Sequence, residues 1–366
     1  MSVDSKKIRI CALVLDPYDT SPGQRFRIEQ WEPYLNEKGI EIDYFPFTDE
    51  NLRKILYQPG QFGGKIFGML KAFARRIRDV FRAGEYDAVF LYRAASMFGP
   101  ALLERYLKIR GIPVIYDFDD SIYLVNTSDA NKKFGWLKFV GKTADICAMS
   151  SAVTVGNSHL ADFASKHSEN VFIVPTSIDT EIYPEVEKKP RADGKTVIGW
   201  TGSSTSQYHL EAFEPVLQSL VDRRGGDIII KVISNREPVG FKIPYVWSAW
   251  SPETEVAEIA EIDIGIMPTP DDEWARGKCA LKALQYMSLG IPAICTDMGA
   301  NRDVIEQGVN GYLAMSPESW IEAFEKLIDD RELRLEMGRA ARKTVVERYS
   351  MRKCAELFEE VVRKVV

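Results

Sequence analysis

Apolar residues run almost unbroken through six short stretches of the first half: Ile8–Leu15, Ile40–Phe45, Ala88–Tyr92, Pro113–Asp117, Ala152–Gly156 and Val171–Val174. Such runs, bounded by turn residues, mark strands buried on both faces. Between them, Arg25–Glu37, Gly99–Arg110 and Ser158–Ser165 carry apolar positions at helical spacing. This alternation predicts βαβ units and a parallel sheet covered by helices on both sides. "EVEKKPRADGKT" (185–196) is charged, apolar-poor and interrupted by Pro and Gly, which predicts a linker. The rhythm then restarts with strands Val197–Trp200, Ile228–Ile233, Ile262–Met267 and Ala293–Thr296, and helices at Leu210–Asp222, Asn301–Gln307 and Glu318–Asp329. The predicted fold class is therefore α/β, with two Rossmann-like doubly wound parallel-sheet domains facing a central cleft. Residues 1–184 are expected as the N-terminal domain and 197–348 as the C-terminal domain. Residues 349–366 are expected as a C-terminal helix packing back on the first domain. Ligands of such folds bind outside the carboxyl ends of the strands.

One helical pattern raises a question of charge. In "GKCALKALQYMSLGIPA" (277–293), Leu281, Leu284 and Met287 make an apolar stripe, while Lys278, Lys282 and Gln285 share another face. Gly290 and Pro292 end the helix, so both lysines fall in its first two turns, where the dipole favours anions and not cations. An anion held between them resolves the conflict. "VIGWTGSSTSQYHL" adds a strand ending in Gly202-Ser203-Ser204 before a helix, whose amides and hydroxyls suit a phosphate. A diphosphate between that loop and the lysines accounts for both. The alternatives are a plain turn, and neutralisation of the lysines by Asp271, Asp272 and Glu273.

Two features of the first half carry further chemistry. "VIYDFDDSIYL" crowds Asp117, Asp119 and Asp120 just past a buried strand, so hydrogen bonds, a basic neighbour or a polar, hydroxyl-rich substrate must stabilise three carboxylates there, and a turn-capping role is also open. "LDPYDTSPGQRFRIEQW" brings Gly23 and Arg25 to the end of the first strand. Arg25 is expected at the cleft, with Arg27 pointing elsewhere, and plain helix-face roles are the alternative. Gly63–Ala83 ("GGKIFGMLKAFARRIRDVFRA") is a basic amphipathic helix, carrying Lys65, Lys71, Arg75, Arg76, Arg78 and Arg82 against the single Asp79. Contact with an anionic membrane surface and ordinary packing on its apolar stripe are both consistent with it.

Composition narrows the field. A formal net charge of −6 argues against general nucleic-acid binding. Five scattered cysteines without CxxC spacing and three histidines without ligand spacing predict no metal site and fit a reducing, cytoplasmic setting. Residues 1–7 lead straight into the first strand, with neither a signal peptide nor an apolar run of membrane-spanning length. Peripheral attachment at the inner face of a membrane, through 63–83, is the accompanying expectation. No G-x-G-x-x-G follows the first strand, which disfavours a dinucleotide-dependent dehydrogenase.

"IDIGIMPTPDDEWARGKCALKALQYMSLGIPAICTDMGANRDVIEQGVNGYLA" resembles the donor-binding region of the family 4 (group 1) glycosyltransferases, and "SSAVTVGNSHLADFASKHSENVFIVPTSIDTEIYP" is similar to their interdomain crossing. The resemblance implies the GT-B fold, a nucleotide-diphosphate-sugar donor without cofactor or metal, and retention of configuration. The partners implied are that donor and a carbohydrate or lipid-linked acceptor. It implies that Gly202, Ser203, Ser204, Lys278, Lys282 and Gln285 bind the donor. Gly23, Arg25, Asp117 and Asp119 would face the acceptor, and Lys278, Lys282, Asp119 and Asp120 would act in catalysis. Members typically carry two glutamates with seven residues between them; here Gly277 and Gln285 stand in those places. The first position therefore lacks a side chain for the sugar, while Gln285 offers an amide to the ribose. A nucleotide-sugar 2-epimerase of the same fold and a non-catalytic sugar-nucleotide-binding scaffold are the rivals.

Overall fold

The computed structural model describes residues 7–56, 58, 60–124, 139 and 141–366; the lead-in at 1–6 lies outside them. The chain divides into two units, Met1–Thr176 with Cys354–Val366, and Ser177–Lys353. In the first, strands β1 (Ile8–Val14), β2 (Ile40–Pro46), β3 (Ala88–Tyr92), β4 (Val114–Phe118), β5 (Ala152–Val155) and β6 (Val171–Ile173) form an all-parallel sheet in the order β2-β1-β3-β4-β5-β6. The second holds β7 (Thr196–Gly202), β8 (Ile228–Ser234), β9 (Val246–Ala249), β10 (Ile264–Met267), β11 (Ala293–Thr296) and β12 (Gly311–Ala314), ordered β12-β11-β10-β7-β8-β9 and again parallel. Read from β9, that is the dinucleotide-fold order 3-2-1-4-5-6. The strand direction of travel reverses between β1 and β3 in one unit and between β7 and β10 in the other. Those reversals open crevices at the carboxyl ends of these strands.

The central strands β3, β4 and β10 are buried at every position, as continuous apolar runs between two helical layers must be. The division falls at Ser177, not at residue 184. Ile178 pairs with Ser350, its amide donating to Tyr349 O at 2.9 Å, and Arg342 donates to Thr180 O (3.1 Å), Tyr183 O (2.7 Å) and Ser288 O (2.6 Å). The stretch expected as a linker is also docked: Lys188 donates to Ala260 O at 2.5 Å and its own carbonyl accepts from Arg331 at 2.7 Å. Its composition is polar because it lies on the surface, yet these hydrogen bonds tie it to the second unit.

The final helix, Met351–Val365, carries Phe358 into the first unit, where its ring lies 5.4 Å from both Trp31 and Phe90. Arg25–Glu37 is broken into Pro22–Arg27, a single turn at Glu29–Trp31, and Glu32–Glu37 with Pro33 inside its first turn.

The basic helix spans Phe62–Arg82, and its orientation reverses the packing expectation. Ala72, Arg76, Asp79 and Val80 are buried, whereas Phe62, Ile66, Phe67, Leu70, Ile77 and Phe81 are exposed. Arg76 donates to Val14 O at 2.5 Å and Arg75 to Phe47 O at 2.6 Å, so two of its cations face inward. Among the described residues no helix is long and apolar enough to cross a membrane.

Candidate functional site

The second unit builds its crevice where β7 and β10 part. Their pairing stops at Gly199 and Gly265, although β7 continues beside β8 as far as Gly202. Tyr286 fills the gap, its hydroxyl accepting from Thr201 N at 2.8 Å and donating to Ile266 O at 3.3 Å. At the open end, Gly202 has no room for a side chain: a Cβ would lie 2.5 Å from the Trp200 indole and 2.8 Å from Ser206 Oγ. The Ser203–Ser206 loop then turns into the Gln207–Arg224 helix. Its groups are partly committed, since Ser204 N donates to Asn235 Oδ1 at 2.7 Å and Ser203 Oγ contacts Thr205 Oγ1 at 2.7 Å.

The lysine helix starts later than its pattern suggests. Ala280 adopts φ 53° and the helix covers Leu281–Ser288, after a separate short turn at Glu273–Arg276. Lys278 therefore precedes the helix and Lys282 sits in its first turn. Both remain at its positive end. Two of the acids expected as alternatives are used elsewhere: Asp271 pairs with Arg276 at 2.7 Å and Asp272 caps the short turn through Ala275 N at 2.7 Å. Lys282 is half-buried, its Nζ 3.5 Å from Ser206 Oγ and 5.1 Å from the centre of the Trp200 ring, and no carboxylate among the described residues pairs with it. Burial, then the charge of Lys278, brings its pKa down to about 8. His209, buried on the first turn of the next helix, is held down to about 4 by burial and then by Lys282 and Lys278, with Asp272 pulling the other way. Gly202, Ser206, Lys282, Lys278 and His209 thus make a corner in which Lys282 has no carboxylate partner among the described residues.

Gln285 lies apart from that corner's polar groups. It is 6% exposed, and its Nε2 donates to Tyr183 Oη and Glu255 Oε1, each at 3.1 Å. Glu255 also accepts from Tyr183 Oη at 2.5 Å and Trp250 Nε1 at 2.7 Å. The amide hydrogens expected at a ribose are therefore spent on this network. Tyr183 and Glu255 were not legible in the sequence, because nothing local ties them to Gln285.

At the β1/β3 reversal of the first unit, a Cβ on Gly23 would lie 2.5 Å from Tyr92 Oη and 3.1 Å from Asp119 Oδ2, so the loop after β1 rests on those after β3 and β4. Arg93, held at φ 64°, reaches Asp119 Oδ1 through Nε at 3.0 Å and Nη2 at 2.7 Å, and Asp120 Oδ2 through Nη2 at 2.7 Å. Tyr92 Oη donates to Asp119 Oδ1 at 3.0 Å. Burial works to raise the Asp119 pKa, but Arg93 and Arg27 overcome it and hold the carboxyl below its ordinary value. Arg93 was the missing stabiliser; its signal was an arginine directly after a buried strand. Arg25 is exposed and pairs with Asp19 at 2.8 Å.

Asp117 corrects the expectation. It is 1% exposed, gripped by the fully buried Arg27, whose Nε donates to Oδ2 at 3.1 Å and whose Nη2 meets Oδ1, with Thr154 Oγ1 donating at 2.6 Å. A carboxylate closed in this way braces β4 against the first helix and does not meet an acceptor.

Residues 251–344 match the family described as glycosyl transferases group 1. The group 1 region takes in the short turn, both lysines, Gln285 and the helices that follow β11 and β12. D-inositol 3-phosphate glycosyltransferase of Paenarthrobacter aurescens is 30% identical over 106 residues, 28% of this chain and 24% of that protein. The chain spans about a quarter of the length of the curated relatives it matches. Sucrose-phosphate synthase from Thermosynechococcus elongatus superposes over 98% of this chain and 99% of its own, with TM-score 0.69 and 11% identity. Anabaena HepE in complex with UDP-glucose does so over 98% and 100%, with TM-score 0.65 and 13% identity. These likenesses show the fold, GT-B.

Proposed function

We propose that this chain is a glycosyltransferase that moves a sugar from a nucleoside diphosphate to a hydroxyl-bearing acceptor. The observation that carries the proposal is Lys282, a half-buried ammonium beside Lys278 and Ser206 with no carboxylate partner among the described residues. A diphosphate supplies the missing charge and suits the β7/β10 crevice. The group 1 region and the UDP-glucose complex of HepE support the same donor class. Lys282, Lys278 and the Gly202 loop would then take up negative charge as the diphosphate departs, in a site whose dipoles are already oriented. The charge is met by ammonium groups, with transfer on the same face of the sugar, retention of configuration and no metal step. The Arg93–Asp119–Asp120 cluster, with Gly23 against it, would receive acceptor hydroxyls.

Incubation with a panel of nucleotide sugars tests this reading. Slow release of free nucleoside diphosphate supports a transferase. Isomerised donor favours the epimerase, and tight binding with neither favours a scaffold.

The Phe62–Arg82 helix supports a second element of the reading, attachment to an anionic membrane surface. Ile66, Leu70, Ala74, Ile77 and Phe81 lie along one line of the helix and are solvent-exposed, with Lys71, Arg78 and Arg82 exposed along its flank. An apolar stripe rimmed by cations suits the interface of an acidic bilayer at the inner face of a cell membrane, where each cation contributes about 1 kcal/mol. The expected result is flotation with phosphatidylserine-containing vesicles that weakens with salt, and none with neutral vesicles. Phe67→Ser with Leu70→Ser should abolish it while donor hydrolysis persists. Failure of the wild type to float with acidic vesicles at low salt would remove the membrane from the proposal.

A further inference from the structure

The second unit has a cavity of about 200 Å³ at the end of its sheet opposite the crevice. Lys195 enters β7, Asp263 precedes β10 and Pro292 precedes β11, so the cavity sits at the amino ends of those strands. The seven residues of β7 separate it from Gly202 by roughly 20 Å. Its lining includes Lys188, Lys189, Arg191, Lys195, Arg331 and Arg334 against the one carboxylate of Asp263. The cations are only partly compensated, and Arg331 meets Glu332, outside the lining, at 3.5 Å. Asp263 Oδ2 is engaged by Val197 N at 2.9 Å, and Arg191 is met by Asp193 at 2.9 Å, outside the lining. Among the described residues, half-buried Lys188 and Arg334 donate only to backbone carbonyls, of Ala260 and Ile262 and of Leu327. Arg331 opens the Arg331–Thr344 helix and Arg334 follows in its first turn, where the dipole disfavours cations. Burial, then neighbouring charges of mixed sign, brings Lys188 down to about 8.

Solvated surface lysines spread apart; here two half-buried cations and their neighbours line one concavity from two chain segments. We infer that this cavity is a second anion site, taking a small phosphorylated metabolite: a phosphomonoester or a diphosphate. Guanidinium forks on Arg331 and Arg334 suit phosphate oxygens, with the lysines as point charges around them. The volume is below the usual range for pockets that take drug-sized ligands, about 300–1,000 Å³, which excludes a whole nucleotide sugar. Such a ligand would tie the 188–195 strap to the helix at Arg331, away from the crevice, as an effector does.

Calorimetric titration with inorganic pyrophosphate at fixed ionic strength tests the site. Wild type should bind at two sites, and Lys282→Ala should retain one. Adding Lys195→Gln and Arg331→Gln to Lys282→Ala should weaken the remaining site at least tenfold. In unaltered protein, pyrophosphate should shield Lys189 and Lys195 from acetic anhydride, and UDP-glucose should not, which keeps the test independent of how the variants fold. Loss of all pyrophosphate binding in Lys282→Ala, or unchanged acetylation of Lys189 and Lys195 at saturation, would overturn the inference. A wild type whose only site survives Lys282→Ala would instead count against the donor reading and leave the rear site standing.

Discussion

Lys282→Ala should lower sugar transfer about 100- to 1,000-fold, the usual loss when one charge-stabilising donor is removed from a transition state. The fold should survive, because among the described residues the ammonium makes only a 3.5 Å contact with Ser206 Oγ and lies over the Trp200 ring. Stability should in fact rise. The folded-state pKa of about 8 lies below the ordinary 10.5, so protonation of Lys282 opposes folding. That cost is complete below pH 8 and disappears as the pH climbs toward 10.5, so the variant's advantage in urea should be largest near neutrality and fade in alkali. Binding of the diphosphate reverses the balance by favouring the charged lysine. Wild type should accordingly take up protons on binding UDP at pH 8, seen as a calorimetric enthalpy that depends on the buffer, and Lys282→Ala should show much less. Unchanged turnover in the folded variant would refute the phosphate role.

Arg27→Ala should destabilise the protein by about 3–5 kcal/mol, the range for breaking one side of a buried ion pair. The side chain is fully buried, and its removal leaves Asp117 to the Thr154 hydroxyl and takes the Arg27 hydrogen bond from Val174 O. Burial already pushes the Asp117 carboxyl above its ordinary pKa despite Arg27 and Thr154, and without the guanidinium it should rise further. A folded-state pKa above the unfolded one gives stability that is present in acid and lost as pH rises. The deficit of the variant should therefore widen from pH 5 to pH 8. Equilibrium urea unfolding measures it, and a loss under about 1 kcal/mol would show that the pair does not carry the strain of burial.

The two-sheet plan was legible because runs such as "IRICALV" in β1 are buried almost throughout, and continuous apolarity is their physical requirement. Strands β9 and β12 escaped notice: each has four residues, lies at a sheet edge, and is only partly buried. Helical spacing placed Lys278 on the helix because the φ of Ala280, which breaks the pattern, leaves no mark on periodicity. Three carboxylates in four residues announced a need for positive charge, but their partners Arg27 and Arg93 come from 90 and 26 residues away. The Phe62–Arg82 helix shows another limit. Its two faces could be read from spacing, yet which one turns inward depends on tertiary partners such as the Val14 carbonyl that receives Arg76. The cationic corner survived the shift in helix register because Lys282 alone keeps both the dipole conflict and the neighbouring serine.

The return of the chain to its first unit sets an order for biosynthesis. Trp31 and Phe90 are synthesised early, but Phe358, which touches both, emerges only after all of Ser177–Lys353. Tyr34 likewise waits for Glu359, 2.9 Å away, and Lys38 O for Arg363 at 2.9 Å. A nascent chain therefore has its second unit complete in sequence while the aromatic rings of the first unit still await Phe358. Closing so long a loop adds little entropy for its length, since the cost grows only logarithmically. The delay comes from translation itself, and the half made first is the last to close.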